Sequence, residues 1–223
     1  MSNNQKSTQI ILQARNLTYE RNDNELFCNL NFSLRAGEML QVKGANGSGK
    51  TSLLRLLCQL SLPEEGAFFW YGEELKHVIH QYLREVIYIG HNQGVKNELT
   101  VRENLNIFNA LSEQPTKTPI SQVIEIFGLA EHEDSILHRL SAGQKRRVAL
   151  ARLLLHEKKL WILDEPQTAL DKIGLSLLES LYQQHIHQGG MIIIATHQPI
   201  NTVGIHIKSL LIGESDPQAA VYE

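Results

Sequence analysis

Between residues 44 and 51 the chain reads Gly44-Ala-Asn-Gly-Ser-Gly-Lys50-Thr51, glycines among small polar residues, closing on a lysine and a hydroxyl. A phosphate can be approached closely only where side chains do not intrude, and glycines allow successive N–H groups to turn toward it. The match to GxxxxGK[ST] is complete. On this reading Lys50 bridges the β- and γ-phosphates of a nucleotide and the Thr51 hydroxyl binds Mg²⁺. Gly44, Ala45, Asn46, Gly47, Ser48, Gly49, Lys50, Thr51 and Ser52 form the candidate phosphate-contacting set. The competing reading is a glycine-rich turn that only caps a helix; a strand before and a helix after weigh against it.

A second segment, Leu160-Trp-Ile-Leu-Asp164-Glu165-Pro166, is an apolar run ending in two carboxylates. Asp164 would hold the cation's hydration shell at the carboxyl end of a strand, and Glu165 would orient or deprotonate an attacking water. Alone, the same residues could simply turn the chain into its next helix. A third segment, Leu140-Ser141-Ala142-Gly143-Gln144, puts a small hydroxyl and a glycine at a helix start, which makes another anion site. With a complete cradle already present, its use would be to close over a phosphate held by another subunit. Taken alone, the pentapeptide is more simply a helix cap led by Ser141.

Single residues add to these. His197, just after an apolar strand, could reach a γ-phosphate or be one more surface histidine among the chain's 10. Asp171 suits either a helix N-cap or a subunit junction. Tyr19 suits either stacking on adenine or packing. Trp161 is expected in the core, and Lys145-Arg146-Arg147 is expected on the solvent face of its helix.

The elements that must position these residues alternate between strand-like and helical runs, the signature of an α/β protein with a largely parallel sheet. Strands are expected at residues 10–17, 32–34, 39–43, 67–71, 86–89, 160–163 and 191–196. Helices are expected from Lys50 to a stop at Pro63, then over 101–111, 120–127, 144–155 and 171–187. The stretch 91–144 is helical in character and reads as a subdomain inserted into a core of about 1–90 and 145–223.

Bulk composition narrows the class further. The 223 residues suffice for one large domain, and a net charge of −3 gives no basic field for nucleic acid. Cys28 and Cys58 lie too far apart for a CxxC pattern and read as buried thiols in a reducing compartment. No run approaches the roughly 20 apolar residues of a membrane span, and the first residues lack a signal-peptide core. A cytosolic chain that meets a membrane only through partners is expected.

The order of these elements resembles the ATPase domain of ABC transporters over nearly the whole chain, a P-loop NTPase fold with an inserted helical subdomain. The LSGGQ signature of that family is met in four of five places, with Ala142 replacing a glycine. The resemblance implies ATP and Mg²⁺ as ligands, and catalytic roles for Lys50, Glu165 and His197. It also implies a head-to-tail dimer in which Ser141, Gly143 and Gln144 of one copy meet the nucleotide held by the other, with Asp171 at the interface. Integral membrane subunits would read the motion. One departure stands out: where the family has its Q-loop glutamine, counting back from Leu99 gives His91, with Gln93 two residues on. Either could serve the metal site.

A narrower resemblance lies in Ile89-Gly-His-Asn-Gln-Gly-Val-Lys96, Leu140 to Arg152, Leu160 to Pro166 and Thr196-His-Gln-Pro199. These are similar to the ATP-binding subunit of the bacterial cytochrome c maturation haem exporter. That implies a peripheral protein on the cytoplasmic face of the inner membrane, with haem or a haem-loaded chaperone as cargo. The competing readings are another importer or exporter subunit, and a soluble ABC protein acting on ribosomes or DNA. The second usually carries a duplicate ATPase unit, a long linker or basic surfaces, which the sequence lacks.

Overall fold

Two sheets, not one, carry the strands. The computed structural model describes residues 9–22, 24–112, 117–201 and 204–213, with the backbone of 221–222. Along the chain run β1 (Ile10–Arg21), β2 (Asn24–Arg35), β3 (Met39–Lys43), α1 (Lys50–Leu57), β4 (Glu65–Trp70), β5 (Glu73–Glu74), α2 (Ile79–Glu85) and β6 (Val86–Ile89). Then come α3 (Val101–Ala110), α4 (Ile120–Ile126), α5 (Ala142–Ala151), β7 (Leu160–Asp164), α6 (Lys172–His187), β8 (Met191–Ala195), β9 (Ile207–Leu211) and β10 (Val221–Tyr222).

One sheet has the order β2-β1-β4-β5 and its pairs are antiparallel. The other has the order β10-β9-β3-β8-β7-β6; it is parallel from β9 to β6, and only β10 runs against its neighbour. The segments 10–17, 32–34 and 67–71 therefore lie outside the parallel sheet expected to hold them. The hairpin of β1 and β2 is also longer than the sequence suggested. Asn16, Asn22 and Asn29 adopt positive φ, and the register of β1 on β2 shifts at several points. Such irregularities break the strict alternation by which a strand is recognised.

Other differences are local. Helix α1 stops at Leu57, where Gln59 turns to a φ of 56°, well before Pro63. Helix α5 starts at Ala142 and gives way at Arg152 to a 3-10 turn over Arg152–Leu154. α2 and β9 were not anticipated.

The parallel sheet is a shared wall between two cores. Strands β7 and β8 are buried at every position, and β3 at all but Lys43, as expected for parallel strands covered on both faces. The pleat sends alternate residues to opposite sides. Leu40, Val42, Leu160, Ile162, Met191 and Ile193 pack with α1 and the antiparallel sheet. Met39, Trp161, Leu163, Ile192 and Ile194 pack with α3, α4, α5 and α6. Trp161 is in the core, as expected. The two cysteines are free and only half-buried, less enclosed than the sequence reading placed them.

Candidate nucleotide site

Pairings Val42↔Ala195, Asp164↔Ala195 and Ile89↔Leu163 bring the carboxyl ends of β3, β8, β7 and β6 side by side. The loops beginning at Gly44, Thr196, Glu165 and Gly90 therefore leave from one edge. That edge is where parallel sheets bind ligands.

The loop after β3 is tightly built. Gly44 has φ 150°, and a Cβ there would stand 2.3 Å from the carbonyl oxygen of Ile212 and 2.5 Å from Ser48 Oγ, so only glycine fits. Lys50 is buried, its Nζ donating to the carbonyls of Gly44 and Ala45 at 2.8 Å each. The charge thus sits inside the curve of the loop. Gly49 caps α1 without any side chain, which leaves the first N–H groups of that helix for an anion. Ser48 Oγ is buried and has no hydrogen-bond partner.

Thr51 Oγ1 donates to Asp164 Oδ2 at 2.9 Å, and Asp164 is 3% exposed. A hydroxyl and a carboxylate at this spacing supply the hard oxygen chemistry of a small divalent cation that completes its shell with phosphate and water. Behind them on β6, burial and then the charge of Asp164 push the phenol of Tyr88 up to about 12, so it stays neutral.

Glu165 follows with a φ of 47°, left-handed for a residue that has a side chain, and its N–H donates to Ala195 O at 2.8 Å. Its Oε1 lies 3.9 Å from His197 Nε2, which also lies 3.1 Å from Asn46 Oδ1. His197 therefore stands between the loop after β3 and the carboxylate after β7. Buried Gln167 braces the same region, accepting from Thr196 Oγ1 at 2.8 Å.

The remaining candidates lie apart from this group. Tyr19 stacks on Phe27 with ring centroids 6.0 Å apart, and Leu26 and Phe27 stand against Gly49, so the hairpin of β1 and β2 borders the start of α1. Ser141 is exposed and caps α5; it shares a capping box with Gln144, whose Nε2 meets His132 Nε2 at 2.7 Å. Gly143 is half-buried in the first turn of that helix. Asp171 caps α6, accepting from Gly174 N at 2.8 Å and pairing with Arg147. His91 is exposed and Gln93 half-buried; among the described residues neither is bonded to Thr51 or Asp164.

One expectation is overturned. Arg146 does not lie on a solvent face: it is 2% exposed and reaches under the Asp164–Pro166 turn. The helical period held the clue. Ala149 and Leu150, three and four residues on, are both buried, so position 146 belongs to the inner face. Leu26, Phe27, Gln167 and His132 were also missed; each acts through a tertiary contact that leaves no local motif.

Comparison with known proteins agrees with this geometry. The profile described as ABC transporter matches residues 27–168. The chain is 42% identical over 204 residues to the cytochrome c biogenesis ATP-binding export protein CcmA of Aliivibrio fischeri, covering 92% of this chain and 100% of that one. To the protein of the same description in Escherichia coli it is 43% identical over 208 residues, 92% of this chain and 98% of the other. A solved ATP-binding subunit of an ABC transporter shares the fold, with TM-score 0.79 at 24% identity over 91% of this chain and 85% of that one. So does cbiO1 from Clostridium perfringens, part of the ABC transporter complex cbiONQ, with TM-score 0.73 at 25% identity over 92% and 85%. The chain therefore belongs to the ABC family of ATP-hydrolysing transporter subunits, on the branch of the cytochrome c biogenesis ATP-binding export proteins.

Proposed function

We propose that this chain is the motor subunit of a membrane complex that exports haem, or releases a haem-loaded chaperone, during c-type cytochrome biogenesis. It turns ATP and water into ADP and phosphate. The cargo is carried over from the family branch; the ATPase chemistry is supported by the residues themselves. One observation carries most weight: Lys50, the Thr51–Asp164 pair and the Asn46–His197–Glu165 series surround one loop at one sheet edge.

In this reading Lys50 and the N–H groups of residues 44–51 grip the phosphates. Thr51 and Asp164 hold Mg²⁺, which when bound neutralises charge building on the β- and γ-oxygens. Glu165 takes a proton from, or orients, the attacking water, and His197 steadies the γ-phosphate. Gln93 or His91 reaches toward the metal from the loop after β6. Tyr19 covers the adenine.

A second copy of the chain completes the site. The Ser141 hydroxyl accepts from Gln144 N and keeps its own proton to donate, while the first N–H groups of α5 have no helical partner. These groups close over the phosphate held by the other copy, with Asp171 near the junction. Turnover then waits on both halves meeting. In this reading residues 91–144 are a helical subdomain set into the core, and their apolar residues pack in one cluster with the parallel sheet. Among the described residues no helix is long and apolar enough to cross a membrane. Integral partner subunits supply that contact, at the cytoplasmic face of the bacterial inner membrane.

The test is Glu165→Gln. It should bind ATP within about threefold of the unaltered chain, turn over at least roughly 100-fold more slowly, and accumulate as an ATP-loaded dimer. Undiminished turnover would remove Glu165 from the mechanism.

A further inference from the structure

The guanidinium of Arg146 donates to four main-chain carbonyl oxygens at the site edge. Nε reaches Pro166 at 3.1 Å, Nη1 reaches Gly90 at 3.1 Å, and Nη2 reaches Asp164 at 3.0 Å and Glu165 at 2.9 Å. The four carbonyls lie at or just past the carboxyl ends of two neighbouring strands, β6 and β7. Burial pushes this guanidinium below the ordinary arginine range, although nearby charges including Asp164 and Glu165 favour its charged form. An apolar side chain would fill the same space without that desolvation. What an apolar side chain cannot do is bind four acceptors with one planar fork.

The acceptors need holding. Glu165 sits at φ 47° and Ala169 at 65°, left-handed conformations that a residue with a side chain keeps only where its surroundings impose them. The carbonyl of Glu165 takes bonds from Arg146 and from Thr168 N, while its N–H is taken by Ala195 O. Peptide groups on both sides of Glu165 are thereby pinned, which fixes where its side chain leaves the main chain.

Arg146 is flanked by two further fastenings between α5 and the same segment. A Cβ on Gly143 would stand 2.6 Å from Ala169 O, so the helix start and that loop are in direct contact. Arg147 pairs with Asp171. Residues 164–171 are thus attached to α5 at 143, 146 and 147, and α5 begins at the Ser141 turn.

We propose that Arg146 is a positioning residue for hydrolysis: it fixes the backbone of Asp164–Pro166 so that the Glu165 carboxylate faces the reacting water, and it ties that geometry to the helix whose first turn meets the second copy's nucleotide. The inference rests on the reading of Glu165 as the hydrolytic base. It makes Arg146 the internal link by which contact at Ser141 of this chain bears on chemistry at its own nucleotide.

The experiment compares full-length Arg146→Gln and Arg146→Lys with the unaltered chain, each alone and combined with Glu165→Gln. Folding is checked by circular dichroism and melting, ATP binding by titration, and kcat and KM by phosphate release. The expected result is kcat lowered about 10- to 100-fold with KM and ATP affinity changed little, Arg146→Lys falling between the others. In the Glu165→Gln background, Arg146→Gln should remove nothing further, because it acts through that carboxylate. An equal loss in both backgrounds would show a general structural role and overturn the proposal. So would a folded Arg146→Lys with unaltered kcat, since one ammonium cannot span these four carbonyls. If Glu165→Gln alone keeps full turnover, the base assignment fails instead, a result separable from failure at Arg146.

Discussion

Thr51 and Asp164, 113 positions apart in the chain, are joined by a 2.9 Å hydrogen bond at the meeting of α1 and β7. The bond ties the loop after β3 to the strand that ends at Asp164, one residue ahead of Glu165. If the pair holds a divalent cation, Thr51→Ala and Asp164→Asn should blunt the effect of Mg²⁺ on ATP binding. Titrations with and without Mg²⁺ should converge for both variants, while metal-free binding stays within about threefold of the unaltered chain. Preservation of the full Mg²⁺ dependence in both would remove the pair as its ligands.

His197 touches both Asn46 and Glu165, so its loss should register in the chemical step more than in binding. His197→Ala is expected to lower kcat at least about tenfold with little change in ATP affinity. Single-turnover measurements separate this from a slower product release.

The proposed two-copy site gives a prediction about assembly. In the Glu165→Gln background, adding Ser141→Arg should abolish the ATP-dependent dimer seen by size exclusion. ATP binding to the single chain should persist, because on the proposed reading Ser141 serves only the nucleotide held by the other copy. A dimer that survives would mean the copies pair through another surface.

Stability should depend on pH through His185. Its ring stacks on Trp161 with centroids 3.9 Å apart at 10°, and Nε2 donates to Met191 O at 3.2 Å. Burial lowers its pKa from 6.5 to about 4, against the opposing effect of its backbone hydrogen bonds. The folded chain thus keeps His185 neutral where the unfolded chain takes up a proton. The stabilisation is complete above pH 6.5 and lost as the pH falls toward 4, by about 3 kcal/mol in all. His185→Phe keeps a ring against Trp161 but cannot titrate. Urea melts followed over this pH range should show a shallower decline for that variant.

The phosphate loop and the Asp164-Glu165 strand were legible because their chemistry is written in adjacent residues: glycines where backbone must approach an anion, an apolar strand before a carboxylate. The antiparallel sheet was not, because left-handed asparagines and register shifts interrupt the alternation in β1 and β2. Arg146 shows a different failure. Its neighbours Lys145 and Arg147 suggested a solvated charge run, and that suggestion overrode the helical period, which places 146 with buried Ala149 and Leu150. A buried charge satisfied only by carbonyls from residues 18 to 56 positions away has no local signature. Gln167, bonded to Thr196 across 29 positions, was invisible for the same reason.

Tyr19 stands on the antiparallel hairpin, whereas Lys50 opens α1 beyond the carboxyl end of β3 in the parallel sheet. On the proposed reading, recognition of the base and recognition of the phosphates are therefore assigned to separate parts of the architecture. Substitutions along residues 19–27 could retune which purine is accepted while the grip on its phosphates stays intact. The hairpin is the place to begin if this motor is to be re-addressed to an unnatural nucleotide.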